Sequence, residues 1–298
     1  MGATPARFLI TGKNGQLGWA LARSFARHAE VHAFDRDALN LADSDAIRRC
    51  CRDIKPTLIL NAGAYTAVDR AEQEPELAMQ INGEAPRIFA EEANRLGAAL
   101  IHYSTDYVFA GDASVPYQED DQPAPQNIYG KTKLAGEQAV CAVADRFLVY
   151  RTSWVYAARR QNFFLTMLRL ARERDELRVV ADQIGSPTWV ETLADFTRLA
   201  VDAQGQLAIA DGIYHISANG RTSWHAFAEA IFAAIPDPDR TVKRVVPIST
   251  AEFPTPAKRP AFSVLSNQKI EFATKRRVPA WQEQLVGCVT DYTQNTNP

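Results

Sequence analysis

Tyr129-Gly130-Lys131-Thr132-Lys133 sets a phenol and an ammonium four residues apart, on one face of a helix expected to start near Asn127. The chain has nine tyrosines, and Tyr129 alone has a lysine four residues on. Reduction of a carbonyl needs such a pair, because charge gathers on the oxygen and an acid must quench it. A free phenol has a pKa near ~10, and a neighbouring ammonium is expected to lower it. A hydroxyl donating to the same oxygen would complete the set, and Thr105 offers one within His102-Tyr103-Ser104-Thr105-Asp106. The alternative for Tyr129 and Lys133 is a half-buried core phenol beside a solvated lysine.

A second cluster has the composition of a phosphate cradle. Gly12-Lys13-Asn14-Gly15-Gln16-Leu17-Gly18 follows an apolar run and opens a helical pattern. Glycines there admit close approach of a pyrophosphate, and free N–H groups at a helix start favour its charge. The spacing is G-x-x-G-x-x-G, so the loop alone also fits ordinary packing. Asp35 lies about 20 residues beyond the loop, where a carboxylate binds a ribose in dinucleotide sites. Arg36 follows it and suits a 2′-phosphate, so both NADPH and NADH are expected as cofactors; a solvated loop charge is the other reading of Arg36.

These groups need a scaffold that gathers them. Short β-branched runs at residues 8–11, 31–34, 58–60, 99–103 and 147–150 alternate with amphipathic stretches, among them 17–25 and a long one through Met79, Ile81, Ile88, Phe89 and Leu96. This is the pattern of an α/β fold: a Rossmann-type, doubly wound parallel sheet covered by helices. Ligands bind such sheets beyond the carboxyl ends of the strands, which brings Ser104, Thr105 and Asp106 to the crevice of the glycine loop. After Thr152 the alternation loosens, and Pro236, Pro238, Pro247, Pro254, Pro256 and Pro260 cluster. The expected division is a nucleotide-binding part over 1–153 and roughly 188–218, with a smaller, interleaved C-terminal substrate-binding subdomain over 154–187 and 219–298.

Composition narrows the partners. With 298 residues, 46% hydrophobic and 23% charged at a net charge of −2, the chain suits a large soluble core and no nucleic-acid surface. Cys50, Cys51, Cys141 and Cys288 lack zinc spacing and read as reduced thiols. No leader or membrane span is recognised, so a cytoplasmic location and no membrane partner are expected.

The segments just described resemble the extended short-chain dehydrogenase/reductase superfamily, and within it the dTDP-4-dehydrorhamnose reductases, over almost the whole chain. The resemblance is carried by the glycine loop, by Asn61-Ala62-Gly63-Ala64-Tyr65-Thr66-Ala67-Val68-Asp69-Arg70-Ala71-Glu72, and by Ser104-Thr105-Asp106-Tyr107-Val108-Phe109. It extends through the stretch from Tyr129 to Glu137, Arg151-Thr152-Ser153-Trp154-Val155-Tyr156, Asp182-Gln183-Ile184-Gly185-Ser186-Pro187-Thr188 and Pro254-Thr255-Pro256-Ala257-Lys258-Arg259-Pro260. It implies Tyr129 as general acid with Lys133 and Thr105 completing a triad, and Thr105, Asp106 and Trp154 against a sugar nucleotide. The cofactor would lie on Gly12, Asn14, Gly15, Gln16, Leu17, Gly18, Asp35, Arg36, Asn40, Leu41, Ala62, Gly63, Ala64 and Tyr65, and also touch Tyr129 and Lys133. The reaction implied is reduction of dTDP-4-dehydro-β-L-rhamnose by NADPH or NADH to dTDP-β-L-rhamnose, a donor for cell-surface polysaccharide.

Some members of the family are described as dimers with Mg²⁺ held by glutamates from three segments. Here Glu191 matches one position, while the others read Ala20 and Asp291, so no metal is expected and the state is monomer or homodimer. Other readings on this scaffold are another 4-ketoreductase, an epimerase that retains NAD⁺, a 4,6-dehydratase and a non-catalytic regulatory subunit. Dehydration needs a further carboxylate where Tyr107 follows Asp106, and the intact Thr105, Tyr129 and Lys133 argue against a subunit without turnover.

Overall fold

The computed structural model describes residues 6–237 and 239–296; residues 1–5, Pro238 and 297–298 lie outside the described residues. Six strands form one parallel sheet: β1 (Arg7–Thr11), β2 (Glu30–Phe34), β3 (Leu58–Asn61), β4 (Ala99–Thr105), β5 (Phe147–Thr152) and β6 (Gly212–His215). Their order is β2-β1-β3-β4-β5-β6, and every adjacent pair is parallel. The chain leaves β1 toward β2 on one side and returns to β3 on the other, so a crevice opens beyond the carboxyl ends of β1 and β3.

Alternate residues of the strands feed separate cores on the sheet's faces. Phe8, Ile10, Leu58, Leu60 and Ile101 pack with Leu21 and Phe25 of α1 (Gln16–Phe25) on one face. Leu9, Ile59, Leu100 and Val149 pack on the other with Ile47 and Cys51 of α2 (Ser44–Ile54), Ile88 and Phe89 of α3 (Ala85–Leu96), and Val140 of α4 (Ile128–Val143). Burying each such side chain stabilises by about 1.5–3 kcal/mol, which holds the strand ends rigid enough to position chemistry. The long stretch through Met79 is helical over Pro75–Met79 and Ala85–Leu96, joined by a π turn over Gln80–Glu84. At that turn Asn82 accepts from Tyr65 N–H (2.8 Å) and donates to Tyr65 O (3.0 Å) and Thr132 Oγ1 (3.1 Å), tying the segment after β3 to α4.

A further core lies beyond β5. Tyr156, Phe164 and Met167 meet Phe227, Ile231 and Leu285 from α5 (Phe163–Glu173), α7 (Trp224–Ala234) and α8 (Trp281–Thr296). Strands Glu176–Val180 and Arg244–Ile248 pair parallel beside it, and Pro247 fits in this small sheet. Helix α6 (Val190–Leu199) instead packs into the core shared with β1 and α1, as do Ile270 and Val278 from the segment assigned to the smaller part. Among the described residues no helix is long and apolar enough to cross a membrane.

Candidate active site

Residue packing builds the cofactor cradle. Gly12 leaves β1 with φ +73°, and a Cβ there would press on Gly63 Cα at 2.9 Å. A Cβ on Gly18 would collide with the Gly12 carbonyl, so α1 starts against the turn only because Gly18 lacks a side chain. Gly15 precedes α1, no side chain caps the helix, and no acidic residue occupies its first turn. Its free N–H groups and positive dipole end are therefore available to an anion. Across the cradle, Asp35 accepts from Asn14 Nδ2 (2.9 Å) and from Ala38 N–H (3.0 Å), which fixes the carboxylate after β2. Arg36 is exposed beside it, and Leu41 bears on Gly63 as a wall.

Helix α4 carries Tyr129 and Lys133. Asn127 caps it by accepting from Gly130 N–H (2.8 Å), and Glu72 accepts from Ile128 N–H (2.8 Å). A Cβ on Gly130 would collide with Tyr107 O, so this glycine lets the helix start directly on the Thr105-Asp106-Tyr107 turn. Tyr129 thus stands edge-on to Tyr107, with ring centroids 5.5 Å apart. Its phenol is pushed up by burial, and a hydrogen bond with Thr105 works in the opposite sense.

The charges that bear on the phenol here are those of Asp106 and Tyr107, which push it further up. The Lys133 amine is buried and turned to β4, where it donates to Tyr103 O (2.6 Å) and faces His102 Nε2 (3.3 Å). Burial holds Lys133 down at about 8, with Glu137 pulling the other way. Thr105 donates to Asp106 Oδ1 (3.0 Å) and accepts from Tyr107 N–H (3.2 Å), so its proton must turn from Asp106 to reach a keto oxygen. Burial pushes the Asp106 carboxyl up to about 7, against the hydrogen bond from Thr105.

One cleft of about 820 Å³ joins all of this, and each residue named from the sequence for cofactor, substrate or proton transfer lines it; Glu191 does not. Sequence reasoning missed Arg70, Tyr107, Thr152, Arg160, Gln161 and Trp224, which line the same cleft. Tyr107 and Thr152 sit inside motifs already singled out, whereas Trp224 has no local signal. Ser104 Oγ, Asp106 Oδ2 and Thr152 Oγ1 are buried without a hydrogen-bond partner in the protein and line this cleft. Together with the glycine cradle, these orphaned atoms suit a dinucleotide and a polar substrate.

A metal does not fit the residues proposed for it. Ala20 is fully buried and offers no oxygen, and Glu191 is already paired with Arg23 at 2.7 Å. No group of three or more candidate ligands lies together among the described residues.

Comparison with known proteins decides among the activities such a cleft can host. A family model described as the RmlD substrate binding domain matches residues 6–294. The chain is 45% identical to the dTDP-4-dehydrorhamnose reductase of Burkholderia thailandensis, covering 96% of this chain and 98% of that one. The chain belongs to the dTDP-4-dehydrorhamnose reductase family. The family's reductase from Escherichia coli K12 is 42% identical over 92% of this chain and 94% of its own. A crystal structure of the Bacillus anthracis dTDP-4-dehydrorhamnose reductase in complex with NADP superposes with a TM-score of 0.90, at 38% identity, covering 97% of this chain and 100% of that one. The UDP-glucose 4-epimerase of Thermus thermophilus, in complex with NAD, shares the fold at a TM-score of 0.81 and 20% identity, covering 97% of this chain and 99% of that one.

Proposed function

We propose that this reductase delivers hydride to C4 of dTDP-4-dehydro-β-L-rhamnose and a proton to the resulting oxygen from Tyr129, giving dTDP-β-L-rhamnose in the final step of its synthesis. The observation that carries the reading is the convergence of Thr105, Tyr129 and Lys133 on the cleft that the glycine cradle opens into. Membership of the reductase family fixes the reaction class around that geometry.

When bound, the nicotinamide cofactor supplies the hydride. Gly12, Gly15 and the start of α1 would hold its pyrophosphate, Asp35 its adenosine ribose and Arg36 a 2′-phosphate, and Ala62, Gly63 and Ala64 would line the nicotinamide side. Tyr129 keeps its proton in the resting site because burial disfavours phenolate. It releases the proton once an alkoxide, a far stronger base than phenolate, forms beside it. Thr105 donates a second hydrogen bond to that oxygen after turning from Asp106. Asp106 and Trp154 orient the sugar nucleotide, and the reaction proceeds in the cytoplasm without a metal.

The test is direct. Purified protein is mixed with NADPH and dTDP-4-dehydrorhamnose, loss of reduced-cofactor absorbance is followed, and the product is identified by mass spectrometry as the keto sugar plus two hydrogens. Cofactor that is not consumed, or consumption without formation of the reduced sugar, would overturn the reading. A product isomeric with the substrate would mark an epimerase instead.

A further inference from the structure

Behind the catalytic lysine runs a buried chain of polar side chains that the reaction as described does not use. Gly63 N–H donates to Thr11 Oγ1 (2.8 Å), and Thr11 donates to Asn61 Oδ1 (2.8 Å). Asn61 Nδ2 faces His102 Nδ1 (3.1 Å), and His102 Nε2 faces Lys133 Nζ (3.3 Å). Thr11, Asn61, His102 and Lys133 are each no more than 2% exposed, so these groups have one another in place of water.

Burial, and then the charge of Lys133, hold His102 well below its ordinary pKa, so the ring is neutral and carries one donor and one acceptor nitrogen. The chain consequently has two consistent directions. Because Gly63 N–H can only donate, Thr11 accepts from it and passes its own proton to Asn61. Asn61 then donates to His102 Nδ1, and the ring's proton sits on Nε2, where it meets a neutral Lys133 amine. In the opposite direction an ammonium donates to Nε2, His102 donates from Nδ1, and Asn61 must reverse its amide. Thr11 then accepts twice, and its hydroxyl proton loses its acceptor on Asn61. The first direction keeps one hydrogen bond more.

We propose that Thr11, Asn61 and His102 are positioning residues that set the proton affinity of Lys133: the Gly63 N–H orients the chain so that His102 presents N–H, and the lysine is held nearer its neutral form. The other groups facing Lys133 are Glu137 on its own helix, which favours the ammonium, and the Tyr103 carbonyl from β4. Arg151 of β5 is spent on Glu137 at 2.8 Å. A lysine that can lose and regain a proton near neutrality can take part in restoring the Tyr129 proton, which an ordinary lysine cannot do. That last step rests on the function proposed above; the direction of the chain does not.

The experiment therefore has separable arms. In the full chain labelled with ¹⁵N at its five histidines, His102 is assigned by comparison with His102→Gln and followed from about pH 6 to about pH 9. The expected result is a neutral ring with its proton on Nε2 at the alkaline end. A proton on Nδ1 there, or an imidazolium at any point in the range, overturns the proposal. This arm needs no turnover, so it stands even if the enzyme proves inactive on the proposed sugar. In the second arm, Thr11→Val removes the hydroxyl that orients Asn61, and Thr11→Ser retains it. The alkaline limb of kcat/KM should move up by about one pH unit in Thr11→Val, the weight of one hydrogen bond, and return in Thr11→Ser. An alkaline limb that stays in place in Thr11→Val overturns the proposal, whereas a mere loss of packing would lower stability without moving it.

Discussion

The indoles of Trp154 and Trp224 lie stacked, their ring centroids 3.5 Å apart and their planes 6° from parallel. Trp154 reaches this position with φ +49°, in the left-handed region a bulky residue rarely enters. A Cβ on Gly185 would collide with Cε2 of the Trp154 ring, so the glycine leaves the indole its place. The position of the Trp154 ring is thus set by partners far away in sequence. Gly185→Ala should displace the indole at a cost of about 1–3 kcal/mol and weaken sugar-nucleotide binding by a comparable amount. NADPH affinity should not change. Calorimetric titration of each ligand checks this, and equal weakening of both would count against it.

Asp106 is 3% exposed, with its carboxyl pushed up to about 7 by burial. A carboxyl whose folded value lies above its ordinary 3.8 favours the protonated fold; that contribution is complete below 3.8 and is lost as pH rises through about 7. Asp106→Asn cannot ionise, so it should raise Tm relative to wild type at about pH 8 and far less at about pH 4. Melting curves at both pH values suffice, and a pH-independent difference would contradict the assignment.

The sheet was legible because its strands are short, apolar and separated by helical patterns, and all five expected strands are present within a residue or two. The glycine cradle was legible for a steric reason, since Gly12 and Gly18 leave no room for side chains. What could not be read were relationships through space. Trp224 carries no motif, and it joins the site because the strand Thr222–Ser223 pairs with Ile184–Gly185. The direction of Lys133 was equally hidden, because its strongest partner is the Tyr103 backbone carbonyl, and every residue type carries one. The π turn over Gln80–Glu84 carries Asn82 to Tyr65 and Thr132, contacts that no local periodicity encodes.

Cofactor choice should turn on Arg36. Its charge bears on Tyr65 and Glu74, so the guanidinium lies on the same side of the cleft as Arg70, which is held by Glu74 at 2.6 Å. Arg36→Ala should remove a charge-assisted hydrogen bond to the 2′-phosphate, about 1.5–3 kcal/mol, or roughly tenfold and more in the KM for NADPH. The KM for NADH should stay as it was. Parallel changes for both cofactors would show that Arg36 has no part in phosphate recognition.

Arg23 stands where a metal would have to compete. Glu191 pairs with it, and Asp291 and Asp195 add like charge that raises the Glu191 carboxyl together with burial. Turnover should hold its level in excess EDTA, because the carboxylate already has a cation. In Arg23→Ala that cation is gone, and Mg²⁺ should then raise Tm where it has no effect on the wild type. Loss of wild-type activity in EDTA, restored by Mg²⁺, would require a metal site that these residues do not form.

The role of Tyr129 is open to the sharpest test. Phenylalanine keeps the ring and its edge-on contact with Tyr107 and deletes only the hydroxyl. The fold should be nearly unaffected, since α4 is held by its Asn127 cap, by Glu72 and by the close approach at Gly130. The proton is needed only as negative charge develops on the substrate oxygen, so its loss weakens the transition state and leaves the ground state alone. General acid catalysis typically contributes about 10²–10⁴ in rate, roughly 3–5 kcal/mol of barrier. Tyr129→Phe should therefore lower kcat by that factor while the KM for the keto sugar and the affinity for NADPH stay close to wild type. Lys133→Met should also slow turnover, and the double variant should lose far less than the sum of the two, because the groups act as a unit. A kcat for Tyr129→Phe within about twofold of wild type at saturating NADPH and keto sugar falls well short of the general-acid contribution, and it would remove the phenol from the mechanism.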